Sequence, residues 1–100
     1  MNTRQLLDHV PGLTYRQLDL WTRSGYLHAL QAGPGSGHAR RYSRDEVEVA
    51  ALMVRLHAAG LNVQTAHHAA RELAAGRPAV LAPGIEITVA EPPGGVAASA

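Results

Sequence analysis

The spacing of helix start and stop signals constrains this chain more than any other feature of its sequence. Thr14 stands three residues before Gln17, and Ser43 stands three residues before Glu46, so each pair matches a capping box at a helix N-terminus. Proline and glycine stop signals follow at Pro11, Gly12, Gly25, Gly60, Gly76 and Pro78. These signals divide the chain into short helices, and its 100 residues fit one compact domain.

The first two predicted helices are joined by a tight turn. We expect Thr3 to cap a helix over residues 4–10 and Thr14 to begin a second helix that ends at Gly25. The inward-facing apolar positions of this pair are Leu7, Leu13, Leu18 and Trp21.

The third and fourth helices lie further along the chain. Ser43 begins the third, which continues through Leu56 to a stop at Gly60. Asn62 caps the fourth, over residues 63–75. Between the two helix pairs, residues 26–30 and 38–42 read as strands of a hairpin around a glycine-rich loop.

Charge is distributed unevenly along the chain. The formal net charge is only +1, but up to Arg44 there are six arginines against two aspartates, and the remainder is acidic. The basic part is therefore the candidate for contact with phosphate groups.

Several function classes are disfavoured by what the sequence lacks. It has no cysteine, so disulfides and thiolate metal sites are excluded. No apolar run approaches the ~20 residues of a membrane span, and the first residues do not resemble a signal peptide. We expect a cytoplasmic protein without a membrane partner.

Four blocks of sequence resemble the DNA-binding domain of the MerR family. They are TYRQLDLW at residues 14–21, GYL at 25–27, GHARRYS at 37–43 and AGLNV at 59–63. The blocks occur in order over about residues 3–75, which makes the resemblance more specific than any one block.

The resemblance implies a mainly α fold with a small β wing, the winged helix-turn-helix. In this family the second helix enters the major groove of double-stranded DNA, the hairpin forms a wing along the phosphates, and the two later helices support both. The implied partner is therefore double-stranded DNA.

The first turn of the second helix carries the candidate DNA-binding residues Thr14, Tyr15, Arg16 and Gln17, with Arg23 at its end. Arg16 is the preferred candidate for a base contact, because a guanidinium can bond both acceptors of guanine. Tyr15 either bonds a phosphate or packs on the wing. Gln17 either contacts adenine or completes its capping box, and we favour the cap.

The same helix departs from the family pattern. Asp19, Leu20 and Trp21 stand where family members usually have an arginine followed by two tyrosines. Asp19 cannot neutralise a phosphate, but it can orient Arg16 or Arg23 through a helix-spaced ion pair. Trp21 is expected to anchor the core.

The wing carries the candidate residues His38, Arg40, Arg41 and Tyr42. Strand alternation turns Arg40 and Tyr42 to one face and Arg41 to the other. We expect one arginine to contact phosphate while the other braces the hairpin, for which an acid of the third helix is a candidate partner. His38 either adds a weak contact near the tip or is an exposed loop residue.

Metal and cofactor sites are not predicted. His57, His67 and His68 form the closest approach to a cluster, but adjacent helical residues point about 100° apart and no carboxylate or thiolate partners complete a site. No catalytic motif has a recognisable context, so we predict a binding protein and not an enzyme.

The C-terminal quarter differs from typical family members, which continue into a long coiled coil. Gly76 and Pro78 stop such a helix, so we divide the chain into a winged domain at 1–76 and a hairpin with a loose tail at 77–100. In that hairpin Ile85, Ile87 and Val89 are expected to share one face.

A second apolar stripe on the third helix needs a cover. It consists of Val49, Ala51, Val54 and Ala58. Either the C-terminal hairpin folds back over it, or a protein partner or second copy binds there or at the strand edge between Ile85 and Val89.

Two functions fit these observations. One is a transcriptional regulator that binds an operator. The alternative is an excisionase-like architectural protein that bends DNA for a site-specific recombinase. A regulator would bind one or a few promoter sites, whereas an excisionase would bind clustered direct repeats.

Overall fold

A computed structural model describes residues 1–31 and 40–90. Its four helices in these residues are α1 (Thr3–His9), α2 (Tyr15–Arg23), α3 (Arg44–Ala58) and α4 (Val63–Ala74). Two antiparallel pairs of strands accompany them: β1 (Leu30–Gln31) with β2 (Arg40–Arg41), and β3 (Ala79–Ala82) with β4 (Ile85–Ile87). The predicted element order and the mainly helical winged fold are confirmed.

Helix α2 begins and ends as its local signals predict. The Thr14 hydroxyl accepts a hydrogen bond from the Gln17 N–H at 3.1 Å, and the Gln17 side chain accepts one from the Thr14 N–H. After Arg23 the chain turns through Gly25, whose φ of 87° is strained for residues with a side chain. The Asn62 side chain caps α4 in the predicted way, at 2.8 Å from the Thr65 N–H.

The predicted cap of α1 is wrong, and the predicted capping box of α3 forms only in part. Asn2, and not Thr3, caps α1, because Asn2 and Gln5 form a complete reciprocal capping box. At α3 the Ser43 hydroxyl does accept the Glu46 N–H at 3.2 Å. The Glu46 carboxylate, however, does not return to Ser43, since an arginine and a backbone N–H elsewhere in the fold bind it instead.

The core lies between the helix pair α1–α2 and helices α3 and α4. Leu18 and Trp21 of α2 are almost fully buried, which confirms the anchor role of Trp21. On α1 the fully buried residue is Leu6, while the predicted Leu7 is only partly covered. The other largest fully buried side chains are Tyr42, Leu27, Met53 and Val49.

The first strand of the wing begins later than predicted. Leu30 pairs with Arg41 and Gln31 with Arg40, but residues 26–29 form turns and irregular chain rather than strand. On the other side of Arg41, Asn2 forms an isolated antiparallel bridge, so β2 is held from both sides at its base. The predicted loop and His38 lie outside the described residues.

The C-terminal hairpin packs on α4 as a small separate sheet. Ala79 pairs with Ile87 and is fully buried against the helix. Ile87 is half-buried, whereas Ile85 and Val89 are mostly exposed, so the predicted shared face is only partly used for packing.

The structure corrects part of the prediction about what covers the apolar stripe on α3. Val49 is 1% exposed and belongs to the core, so it cannot contact a partner. Val54 lies beside the turn between α1 and α2, where its Cγ1 would be only 3.3 Å from a Cβ placed on Gly12. The N-terminal turn therefore covers Val54 in part, and Val54 stays half-buried.

Candidate nucleic-acid interface

One side of α2 forms an exposed ridge. Arg16, Leu20 and Arg23 lie on this side at helical spacing, while Leu18 and Trp21 face the core. Tyr15 at the start of the helix is 61% exposed. Thr14 and Gln17 are occupied with each other in the capping box.

Asp19 joins the ridge to the wing. Its Oδ2 accepts a hydrogen bond from Arg23 Nε at 2.9 Å, and its Oδ1 accepts one from Arg40 Nη1 at 2.9 Å. The pKa of Asp19 lies below its ordinary value mainly because of the Arg40 hydrogen bond; Arg23 adds to this effect against the opposing influence of burial. We call this group, Asp19 with Arg23 and Arg40, the surface latch.

The surface latch resolves which wing arginine braces the hairpin. Arg40 does so, and the acid that holds it belongs to α2 and not to the third helix as the sequence had suggested. Arg41 points away and is exposed, which confirms the predicted strand alternation. Within residues 1–31 and 40–90, neither Arg16 nor Arg41 forms an ion pair.

Tyr42 lies beneath the surface. It is 2% exposed, and its hydroxyl lies 2.8 Å from the hydroxyl of Thr22, which itself donates to the Leu18 carbonyl. With so little exposed surface, Tyr42 is poorly placed for the DNA contact that the sequence analysis proposed. Instead, its ring and hydroxyl fix the base of the wing to α2.

A second ionic group was not foreseen from the sequence. Arg71 of α4 bonds both oxygens of Glu46, with Nη2 2.9 Å from Oε1, and also donates to the Tyr26 carbonyl at 2.7 Å. Glu46 in turn accepts the His28 N–H at 2.7 Å. We call Glu46 and Arg71, with the backbone groups of Tyr26 and His28, the buried node.

The buried node fixes the chain where it leaves α2 for the wing. Glu46 is 8% exposed. Burial alone would raise the pKa of Glu46, but the hydrogen bonds from Arg71 and His28 outweigh it and bring the pKa below its ordinary value. Only the capping spacing singled out Glu46, and that signal predicted the wrong partner.

His67 lies beside the node. Its ring is 4.9 Å from the ring of Tyr26, centroid to centroid, and its Nε2 accepts a hydrogen bond from Arg71 Nε at 3.2 Å. Burial and the nearby Arg71 charge lower its pKa. Among the described residues, His67 joins no group of three or more side chains able to hold a metal ion.

The geometry combines a capped helix with an exposed arginine in its first turn and an adjoining antiparallel wing. A family model described as MerR HTH family regulatory protein matches residues 9–73. The chain belongs to the MerR family. The matched segment contains α2, the wing and α3 entirely, and all of α4 but its last residue.

Residues 9–73 thus form a MerR helix-turn-helix DNA-binding domain. The C-terminal hairpin lies outside the match. Searches of curated proteins and of solved structures gave no significant match to the chain. Every helix in the described part of the chain is too short or too polar to cross a bilayer.

Proposed function

We propose that this MerR protein binds specific sequences in double-stranded DNA through α2 and acts as a transcriptional regulator. The observation that carries the proposal is that α2 and the wing each expose one arginine that forms no ion pair among the described residues, Arg16 on the helix and Arg41 on the wing. The first turn of α2 also offers backbone N–H groups and the positive end of the helix dipole to phosphate.

Each exposed residue has a distinct proposed role. Arg16 contacts guanine in the major groove, where bidentate bonding discriminates by ~1 to 3 kcal/mol. Arg41 and Tyr15 contact phosphates. Leu20, which the sequence analysis did not propose as a contact, is half-exposed at i+4 from Arg16 and suits the methyl group of thymine.

The remaining predicted site residues support these contacts. Thr14 and Gln17 cap α2 and so orient its first turn. Arg40 is held in the surface latch, and Arg23 is held there too, although its side chain is 63% exposed.

We propose that the protein is a monomer without DNA, because α4 ends at Ala74 and a hairpin follows. A single winged domain has about half the interface of a dimeric one, so its affinity at physiological salt should be modest.

A contact through Ala51 and Val54 or through the strand between Ile85 and Val89 stays a prediction. Light scattering tests it: a tight dimer without DNA contradicts the monomer, and Ile85→Asp should dissociate a dimer formed by the hairpin.

Selection of binding sites from genomic duplex fragments tests the proposed function. We expect enrichment of fragments that share a short motif, with one or a few sites near promoters. Clustered direct repeats beside a recombination attachment site would favour the excisionase-like alternative. No enrichment over scrambled duplex would contradict specific DNA binding altogether.

A further inference from the structure

We propose that Asp19 limits sequence-independent DNA binding by withholding Arg40 and Arg23 from DNA phosphates. This inference rests on the proposed function and assigns a role to the departure of α2 from its family pattern. The sequence-independent part of DNA binding would then depend on few cations, so that the base contacts of Arg16 contribute a larger share of the total.

The geometry of the latch supports this role. Each oxygen of Asp19 accepts a different arginine at 2.9 Å, so the carboxylate satisfies both partners at once. The Arg40 side chain is only 21% exposed and the Asp19 side chain 25% exposed. Arg40 is therefore directed at α2 rather than outward along the wing, where Arg41 is exposed.

The electrostatic consequence follows from the charge at this surface. Each phosphate that a cation neutralises releases condensed counterions and strengthens binding to every sequence alike. A carboxylate between two arginines removes part of that gain and also repels the approaching phosphates. Because this contribution is common to all sequences, weakening it lowers the affinity for every duplex and limits retention on random DNA, and it leaves the ratio of specific to random affinity unchanged.

Asp8 supplies a matched control. It is exposed on α1 and forms no ion pair within the described residues. Asp8→Asn changes the net charge by the same amount as Asp19→Asn but leaves the surface latch intact. A difference between the two variants therefore reports the latch and not the overall charge.

The experiment measures binding of the full chain to a selected site and to random duplex over a series of salt concentrations. We expect Asp19→Asn to bind random duplex about three- to ten-fold more tightly, with a salt dependence steeper by about one to two units, as phosphates gain one or two cations. Affinity for the selected site should rise by a similar factor, while Asp8→Asn should change either affinity less than about two-fold.

Three further variants separate the proposed effect from a folding defect. Asp19→Glu keeps the charge and should retain weak binding to random duplex. Arg40→Gln should leave the salt dependence nearly unchanged because Arg40 is not a phosphate contact, whereas Arg41→Gln should lower it by about one unit.

Three results would overturn the proposal: Asp19→Asn behaving like Asp8→Asn, Asp19→Asn weakening binding to random duplex, or Arg40→Gln lowering the salt dependence as much as Arg41→Gln. These failures would leave the proposed function standing. If the wild-type protein itself prefers no duplex sequence, the proposed function fails instead.

Discussion

Two carboxylates organise the wing in different surroundings. In the buried node, Glu46 is 8% exposed and bonds the Arg71 guanidinium and a backbone N–H. In the surface latch, Asp19 bonds two arginine side chains, one of which is 63% exposed. A carboxylate therefore holds the wing in both places, once inside the fold and once at the proposed DNA-binding surface.

Solvent makes the difference between them. Removing one partner of a buried ion pair leaves the other charge without compensation, which is strongly destabilising. An exposed pair is screened and gains little over hydration, so its loss costs little stability. The role of Glu46 should therefore be tested by folding measurements and that of Asp19 by DNA-binding measurements.

The largest effect is expected from Glu46→Gln. The amide leaves the Arg71 charge unpaired beneath the wing, and we expect a loss of about 2 to 4 kcal/mol in the free energy of unfolding. Urea denaturation followed by tryptophan fluorescence measures it through Trp21. Exposed Glu48→Gln is the control, and an equal loss from both variants would show that the node is unimportant.

Acid should weaken the buried node before it affects the core. The pKa of Glu46 in the folded protein lies below its ordinary value of 4.5, so its contribution to stability is complete above that value and is lost as pH falls through the folded pKa. The stability gap between wild type and Glu46→Gln should therefore shrink from pH 7 towards pH 3. A gap that stays constant or widens would contradict the assigned role.

A smaller effect is expected from Tyr42→Phe. Tyr42 lies between the buried node and the surface latch. The substitution removes the hydrogen bond to Thr22 but keeps the buried ring, so we expect a loss of about 0.5 to 1.5 kcal/mol. Thermal unfolding measures it, with exposed Tyr15→Phe as the control. If Tyr42→Phe left stability unchanged but abolished DNA binding, the buried placement of Tyr42 would be the wrong basis for its function.

The smallest effect on stability is expected from Asp19→Asn. The Asp19 side chain is 25% exposed and its partner Arg23 is 63% exposed, so water can hydrate the groups that the substitution releases, and the unfolding midpoint should move less than in Tyr42→Phe. A shift as large as that of Glu46→Gln would remove the distinction between the two regions.

The sequence predicted those parts of the fold that depend on neighbours along the chain. Thr14 and Gln17 are three residues apart, and their capping box forms as expected. Strand alternation alone predicted that Arg40 and Arg41 lie on opposite faces of the wing. Such signals need no knowledge of tertiary structure.

The two ionic groups show why the rest could not be predicted. Asp19 lies 21 residues from Arg40, and Glu46 lies 25 residues from Arg71. The Glu46 carboxylate bonds a distant arginine instead of completing the local capping box. A charged guanidinium in a partly buried site binds a carboxylate more strongly than does a backbone N–H exposed at the helix start. The spacing of residues along the chain could not show which of these two partners Glu46 would bind.

The most direct test of the account compares Arg16→Ala with Arg41→Ala on a selected site and on random duplex. Arg16→Ala should reduce the preference for the selected site by about 1 to 3 kcal/mol and flatten selectivity at one or two base pairs. Arg41→Ala should weaken binding to both duplexes alike and reduce the salt slope by about one unit. Equal losses on both duplexes from Arg16→Ala would contradict base recognition by α2.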